Sequence, residues 1–95
     1  MIDTATGPVA RDMIERLIEA LAPTRLELED QSDRHVGHAG HDGRGESHFA
    51  LTIASAAFAG QSRIARQRQV YAALGELMEE RVHALTIRAY APEEA

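Results

Sequence analysis

The sequence predicts a small α+β domain of two layers, with helices on one face of a three-stranded mixed sheet. Three observations lead there. Apolar residues recur at three- and four-residue spacing in two segments, near Val9–Leu21 and after Gly60. Apolar and polar residues alternate in three others, beginning near Thr24, His48 and Val82. The resulting order, helix, strand, strand, helix, strand, allows the first two strands to pair antiparallel. The last two are joined through a helix, which calls for a right-handed parallel crossover.

The first helix opens at Pro8, a first-turn proline whose missing N–H costs nothing there. Met13, Ile14, Leu17, Ile18 and Leu21 supply its apolar face, and Pro23 ends it. In TRLELED, Leu26 and Leu28 alternate with charged residues, as in a half-buried strand. HFALTIAS repeats the pattern with Phe49, Leu51 and Ile53. A loop over residues 31–46 separates these strands, and connections longer than about 12–15 residues are usually functional or disordered. QSRIARQRQVYAALGELMEER reads as a second helix with a break expected near its start. Its core stripe is Val70, Leu74, Leu77 and Met78 with Tyr71 beside it, and Gly75 weakens it by about 1 kcal/mol relative to alanine. VHALTIRAY is the third strand, with Leu85, Ile87 and Ala89 on one face and His83 at its beginning in the same parity. APEEA reads as a short tail. The 95 residues make one domain with a core over about residues 9–90, and no internal repeat.

Composition narrows the function. Hydrophobic residues make up 44% and charged residues 26%, near the average for globular domains. A chain of this length buries only roughly 60–65% of its unfolded surface, which leaves no room for a deep enclosed chamber. Ligands are therefore expected on a surface, a loop or a shared interface. The net charge of −5 counts against a dedicated nucleic-acid protein, whose affinity comes largely from neutralised phosphates. With no cysteine there is no disulfide framework, thiolate nucleophile or zinc ribbon. The N-terminal stretch lacks a signal-peptide core and is too acidic for a transit peptide, and no window resembles a membrane span. Cytoplasmic residence without membrane contact is the expectation.

Four of the five histidines, His35, His38, His41 and His48, fall in RHVGHAGHDGRGESHF. Neutral imidazole is a borderline ligand for iron, zinc and copper, and its reference pKa near 6.5 leaves it mostly unprotonated at pH 7. Gly37, Gly40 and Gly43 permit backbone angles that would let several rings converge. Taken alone, these histidines also read as a solvated loop or as a zinc or nickel site, and His83 as a sheet-edge residue bonded to backbone. His48 lies on the opposite face from Phe49, and a structural role in ESHF is expected for it.

Several motifs occur together: ESHF, FAG followed by R-x-R-x-x-Y-x-x-L at Arg66, Arg68, Tyr71 and Leu74, VHAL at Val82–Leu85, and D-x-S-x-x-H at Asp30, Ser32 and His35. In this order and spacing, over about Val9–Tyr90, the chain resembles the BolA family. The resemblance implies a fold similar to the class II KH domain, of order α-β-β-α(α)-β. One position departs: Gln67 stands where BolA proteins commonly carry a histidine between the two helix arginines.

The resemblance also implies partners and ligands. BolA proteins form heterodimers with monothiol glutaredoxins, which contribute a cysteine and a bound glutathione thiolate to a bridging 2Fe–2S cluster. Histidine can replace cysteine on one iron of such a cluster, as Rieske centres show. A cysteine-free chain would supply imidazoles and borrow thiolates. Carried over, the strand ligand is His83 and the loop ligand is His35, with His38 and His41 open alternatives in the same loop. The expected function is thus a non-enzymatic accessory protein of iron–sulfur metabolism, with no cofactor in the isolated chain.

Arg63, Arg66 and Arg68 form the one concentrated basic patch. It reads as a solvated helix start, as a contact for glutathione or a partner carboxylate, or as a nucleic-acid phosphate contact. A KH-like, DNA-binding transcriptional regulator is therefore the runner-up, and a simple divalent-metal (zinc) binder the third reading. The clamp of KH domains, GXXG, is matched formally by GHAG, but between two strands and not two helices. Catalysis has little support: Ser47 and His48 are chain neighbours without a third orienting group. Weak homo-oligomerisation is left open.

Overall fold

The computed structural model describes residues 7–31 and 48–94. Helix α1 (Pro8–Leu21) leads into strand β1 (Arg25–Asp30). Strand β2 (His48–Ala54) and a 3-10 turn (Ala56–Phe58) precede helix α2 (Arg63–Leu74). The short helix α3 (Leu77–Glu80), strand β3 (Ala84–Tyr90) and a 3-10 turn (Pro92–Glu94) complete the described chain. Sheet order is β1-β2-β3, antiparallel between the first pair and parallel between the second, as the alternation and crossover predict.

Helix α1 starts at Pro8 and ends where Ala22 turns into the left-handed region, its N–H donating to Ile18 O, directly before Pro23. Val9, Ala10, Met13, Leu17 and Leu21 face the core. The expected apolar face needs correction at its flank. Ile14 is half-buried, and Ile18 is 53% exposed. The four-residue row Met13–Leu17–Leu21 points at the sheet, and Ile14 and Ile18, each one residue and about 100° further round, turn away from it.

Phe49, Leu51 and Ile53 of β2 and Leu28 of β1 project to the helix side of the sheet, where Phe58, Val70 and Leu74 close over them. Each such side chain contributes roughly 1.5–3 kcal/mol by leaving water. Leu85, Ile87 and Ala89 share the same side of β3 but stay half-buried, because β3 is an edge strand. Ser55 locks the far end: its hydroxyl donates to Leu21 O and accepts from Ala57 N. Buried completely, it ties the end of α1 to the exit of β2.

The second helix breaks, but not where expected. The segment from Arg63 runs unbroken for three turns, capped at its start by Ser62, whose hydroxyl accepts from Ala65 N. The break comes at Gly75 (φ 57°, ψ −132°), backbone angles suited to glycine that no helix can continue through. Arg16 of α1 seals this end, its Nη1 donating to Leu74 O at 3.0 Å and its Nη2 reaching Glu76 Oε1 at 3.3 Å. Asp12 receives the Arg16 Nε at 3.0 Å and, with Glu76, raises the guanidinium pKa above its ordinary value. The expected tail is also structured, as a 3-10 turn held by Glu94. Among the described residues, no helix is long and apolar enough to cross a membrane.

Candidate functional site

Parallel pairing brings the beginnings of β2 and β3 side by side, with His48 opposite Ala84 in the register. His83 immediately precedes β3, one residue outside the strand expected to contain it. Its position is set by Val82, which is buried and whose N–H donates to Leu77 O at 2.9 Å. The His83 side of the chain is exposed to solvent. Its ring meets that of His48 edge to face, with centroids 6.0 Å apart and planes at 80°. The two imidazoles thus form a pair that one-dimensional spacing does not suggest, being 35 positions apart in the chain.

The long loop begins and ends at this same place. Gln31 N donates to His48 O at 2.7 Å, extending the β1–β2 pairing by one rung beyond Asp30–Phe49. His35, His38 and His41 themselves lie outside the described residues. Among the described residues, no group of three or more His, Asp or Glu side chains is placed to hold a metal ion. His48 and His83 offer nitrogen donors, and the chain has no cysteine. This donor set fits half of an iron–sulfur cluster's ligand shell and not the whole of it.

The arginines stand elsewhere. Arg66 lies at the opposite end of β3, where its Nη1 donates to Ala89 O at 3.1 Å and to Glu94 Oε1 at 2.7 Å. Its Nη2 reaches Glu94 Oε2 at 3.3 Å, and its Nε donates to Gln61 O at 3.0 Å. Glu94 Oε1 also accepts from Ala91 N at 2.6 Å. The Arg66 hydrogen bonds, helped by that amide, hold the Glu94 carboxyl below its ordinary pKa, and Glu94 in turn raises that of Arg66. Arg63 and Arg68 are exposed on α2. Six residue steps of strand, about 20 Å, separate the beginning of β3 from its end. The three arginines are therefore not one surface with the histidine pair, and a small ligand held at His83 does not reach Arg66.

A groove of about 450 Å³ runs between α2 and the edge of β3, lined by Gln61, Arg63, Arg66, Ile87, Arg88 and Tyr90 among others. Sequence spacing did not connect Arg88 with the helix arginines. Only the packing of α2 beside β3 does so. A smaller hollow of about 240 Å³ on the helix-free face of the sheet is lined by Glu27, Glu29, Thr52, Thr86 and Arg88 among others.

Comparison with known proteins agrees with this architecture. The family model described as BolA-like protein matches residues 17–94. An uncharacterised protein encoded in the cobS 5′ region of Sinorhizobium sp is 46% identical over 81 residues, covering 84% of this chain and 87% of that protein. The solved BolA domain of SufE1 from Arabidopsis thaliana superposes with a TM-score of 0.84 at 42% identity, covering 96% of this chain and 100% of the domain. The DNA-binding transcriptional regulator BolA of Escherichia coli K12 is 38% identical over 76 residues, 80% of this chain and 69% of that protein. The chain spans 25% of the full Arabidopsis SufE-like protein 1 and 61% of mouse BolA-like protein 1.

Proposed function

This chain belongs to the BolA family, and from that premise we propose that it is an accessory protein of iron–sulfur metabolism. In this reading it binds a monothiol glutaredoxin and supplies imidazole ligands to a bridging 2Fe–2S cluster, with the remaining thiolates coming from the glutaredoxin and glutathione. The observation that carries the proposal is the exposed His83 beside His48 at the sheet end from which the long loop departs. When bound, the cluster would supply electron storage and transferable iron and sulfide. The chain's own residues would orient two nitrogen donors and leave one side of the site open to a partner.

Covalent reach supports a loop histidine as the second ligand. Across two strand spacings, His83 stands about 10 Å from the β1 end where Gln31 is fixed. His35 follows Gln31 by four residues, a span of up to roughly 13–14 Å, and longer tethers serve His38 and His41. All of them can reach the neighbourhood of His83, so His35 remains the proposed ligand with His38 as its alternative. His48 borders His83 and is not one of the two proposed ligands.

The protein acts as a carrier and not as a catalyst in this proposal, and cytoplasmic residence is part of it. Two Arabidopsis relatives, by contrast, bear chloroplast or mitochondrion in their names. The test is reconstitution: the chain mixed with a monothiol glutaredoxin, glutathione, iron and sulfide should elute as a coloured heterodimer containing both iron and sulfide. A glutaredoxin that keeps its cluster as a homodimer, with this chain eluting colourless and apart, overturns the proposal.

A second reading is a DNA-binding regulator. It draws on the name of the Escherichia coli relative and on Arg63 and Arg68, exposed on one helix. Affinity for duplex DNA would then fall steeply with salt and vanish when Arg63, Arg66 and Arg68 are all replaced by alanine.

A further inference from the structure

We propose that the outer edge of β3, where it borders α2, docks an extended acidic segment of a partner protein by strand addition, at a site separate from the histidine pair. Sheet order makes β3 an edge strand. Its hydrogen-bonding parity is known from two contacts. Tyr90 O accepts from Ser55 N at 2.9 Å, on the β2 side, and Ala89 O accepts from Arg66, on the outer side. Because N–H and C=O of one residue share a side of the strand, and successive residues alternate, Leu85 and Ile87 also present their amides outward. Unpaired among the described residues, a row of this kind is a template for another strand.

The groove beside that row specifies the occupant. Arg63 and Arg66 from α2 and Arg88 from β3 line it, with Ile87 as an apolar floor. The chain's own Glu94 demonstrates the chemistry, its carboxylate gripped by both Arg66 amino groups at one end of the groove. An extended peptide with alternate carboxylate and aliphatic side chains would pair its backbone with Leu85 and Ile87. Its carboxylates would then lie on the helix side, facing Arg63 and Arg66. The long Arg88 side chain, based on the opposite face of β3, would reach them round the strand edge. A phosphate backbone fits less well, since it brings no ladder of amides to pair with Leu85 and Ile87. Glu94 competes with the incoming carboxylates for Arg66, so it sets how tightly the segment binds.

The experiment titrates ¹⁵N-labelled protein with a blocked peptide of alternating glutamate and valine, against its glutamine counterpart and an oligothymidylate. The acidic peptide should slow amide exchange at Leu85 and Ile87 and shift the Arg63 and Arg88 resonances. Charge reversal of the exposed arginines, Arg63→Glu with Arg88→Glu, should weaken binding about tenfold or more, the scale of two surface ion pairs turned repulsive. Glu94→Gln should tighten it. The same reversal leaves the amide spectrum dispersed, which confirms that the fold survives; a collapsed spectrum moves the test to the single variant Arg88→Gln, expected to weaken binding several-fold. Unprotected Leu85 and Ile87 amides, equal binding of the glutamine peptide, or a preference for the oligothymidylate would each overturn the proposal.

Discussion

His48 and His83 meet edge to face with ring centroids 6.0 Å apart, because β2 and β3 run parallel and each begins at a histidine or directly after one. This contact involves a half-buried and an exposed side chain, so it adds little to stability. Replacing the exposed His83 ring by alanine should therefore shift the urea unfolding free energy by no more than about 0.5 kcal/mol. A larger loss at His83 would mean that it serves the fold and not a ligand.

Gly75 carries a larger cost. Its positive φ ends α2, and a Cβ there would come 3.4 Å from Arg16 Nη1, an ordinary contact. Backbone strain is thus the main penalty, and Gly75→Ala should destabilise the domain by about 1–3 kcal/mol. Urea denaturation monitored by far-ultraviolet circular dichroism measures it.

Ser55 is fully buried with both its hydroxyl functions used. Ser55→Ala leaves Leu21 O and Ala57 N without those bonds, which predicts a loss of about 1–3 kcal/mol. Ser55→Thr keeps the hydroxyl and loses less of the hydrogen bonding, though it must fit one more methyl group. Thermal melts of the two variants side by side check the ordering.

The Arg66–Glu94 pair gives stability a pH dependence of definite sign. Glu94 has an ordinary carboxyl pKa of 4.5, held lower in the folded state by Arg66. A depressed folded pKa means that the pair's contribution is complete above 4.5 and disappears as pH falls from there through the folded value. The stability difference between the wild-type chain and Glu94→Gln should be constant near neutrality and shrink below about pH 4.5. Urea midpoints measured across that range test it, and a gap that widens on acidification contradicts the assignment.

Much of this fold is legible in the sequence because its elements are local. The rows Met13–Leu17–Leu21 and Val70–Leu74, and the alternation through Leu26–Leu28, Phe49–Ile53 and Leu85–Ala89, each announce their own geometry. What the sequence conceals is set by partners far along the chain. The helix break falls at Gly75 and not near Ser62, since a lone glycine shows its cost but not its φ, and the Arg16 cap comes from α1. APEEA looks like a tail until Glu94 meets Arg66, 28 residues earlier. The histidine candidates divide in the same way. The VHAL motif points to His83 by itself, whereas placing His48 beside it takes the register of the parallel pair. In the sequence Arg66 reads as part of a solvated helix start or a partner contact, yet most of its donors serve Gln61, Ala89 and Glu94.

The loop assignment has its own test. In complexes with a glutaredoxin-held cluster, His35→Ala should perturb the electronic spectrum more than His38→Ala or His41→Ala. If His38→Ala has the larger effect, the second ligand moves to that position and the reach argument from Gln31 still holds. Equal silence from all three loop variants would remove the loop from the ligand set.

Visible circular dichroism bears most directly on the shared-cluster reading. A cluster-loaded monothiol glutaredoxin is titrated with this chain and, in parallel, with His83→Ala. Nitrogen ligation predicts a new dichroic pattern that saturates at one chain per cluster with the wild type and is altered or lost with the variant. Identical spectra for both chains, or no change from the glutaredoxin alone, would contradict it.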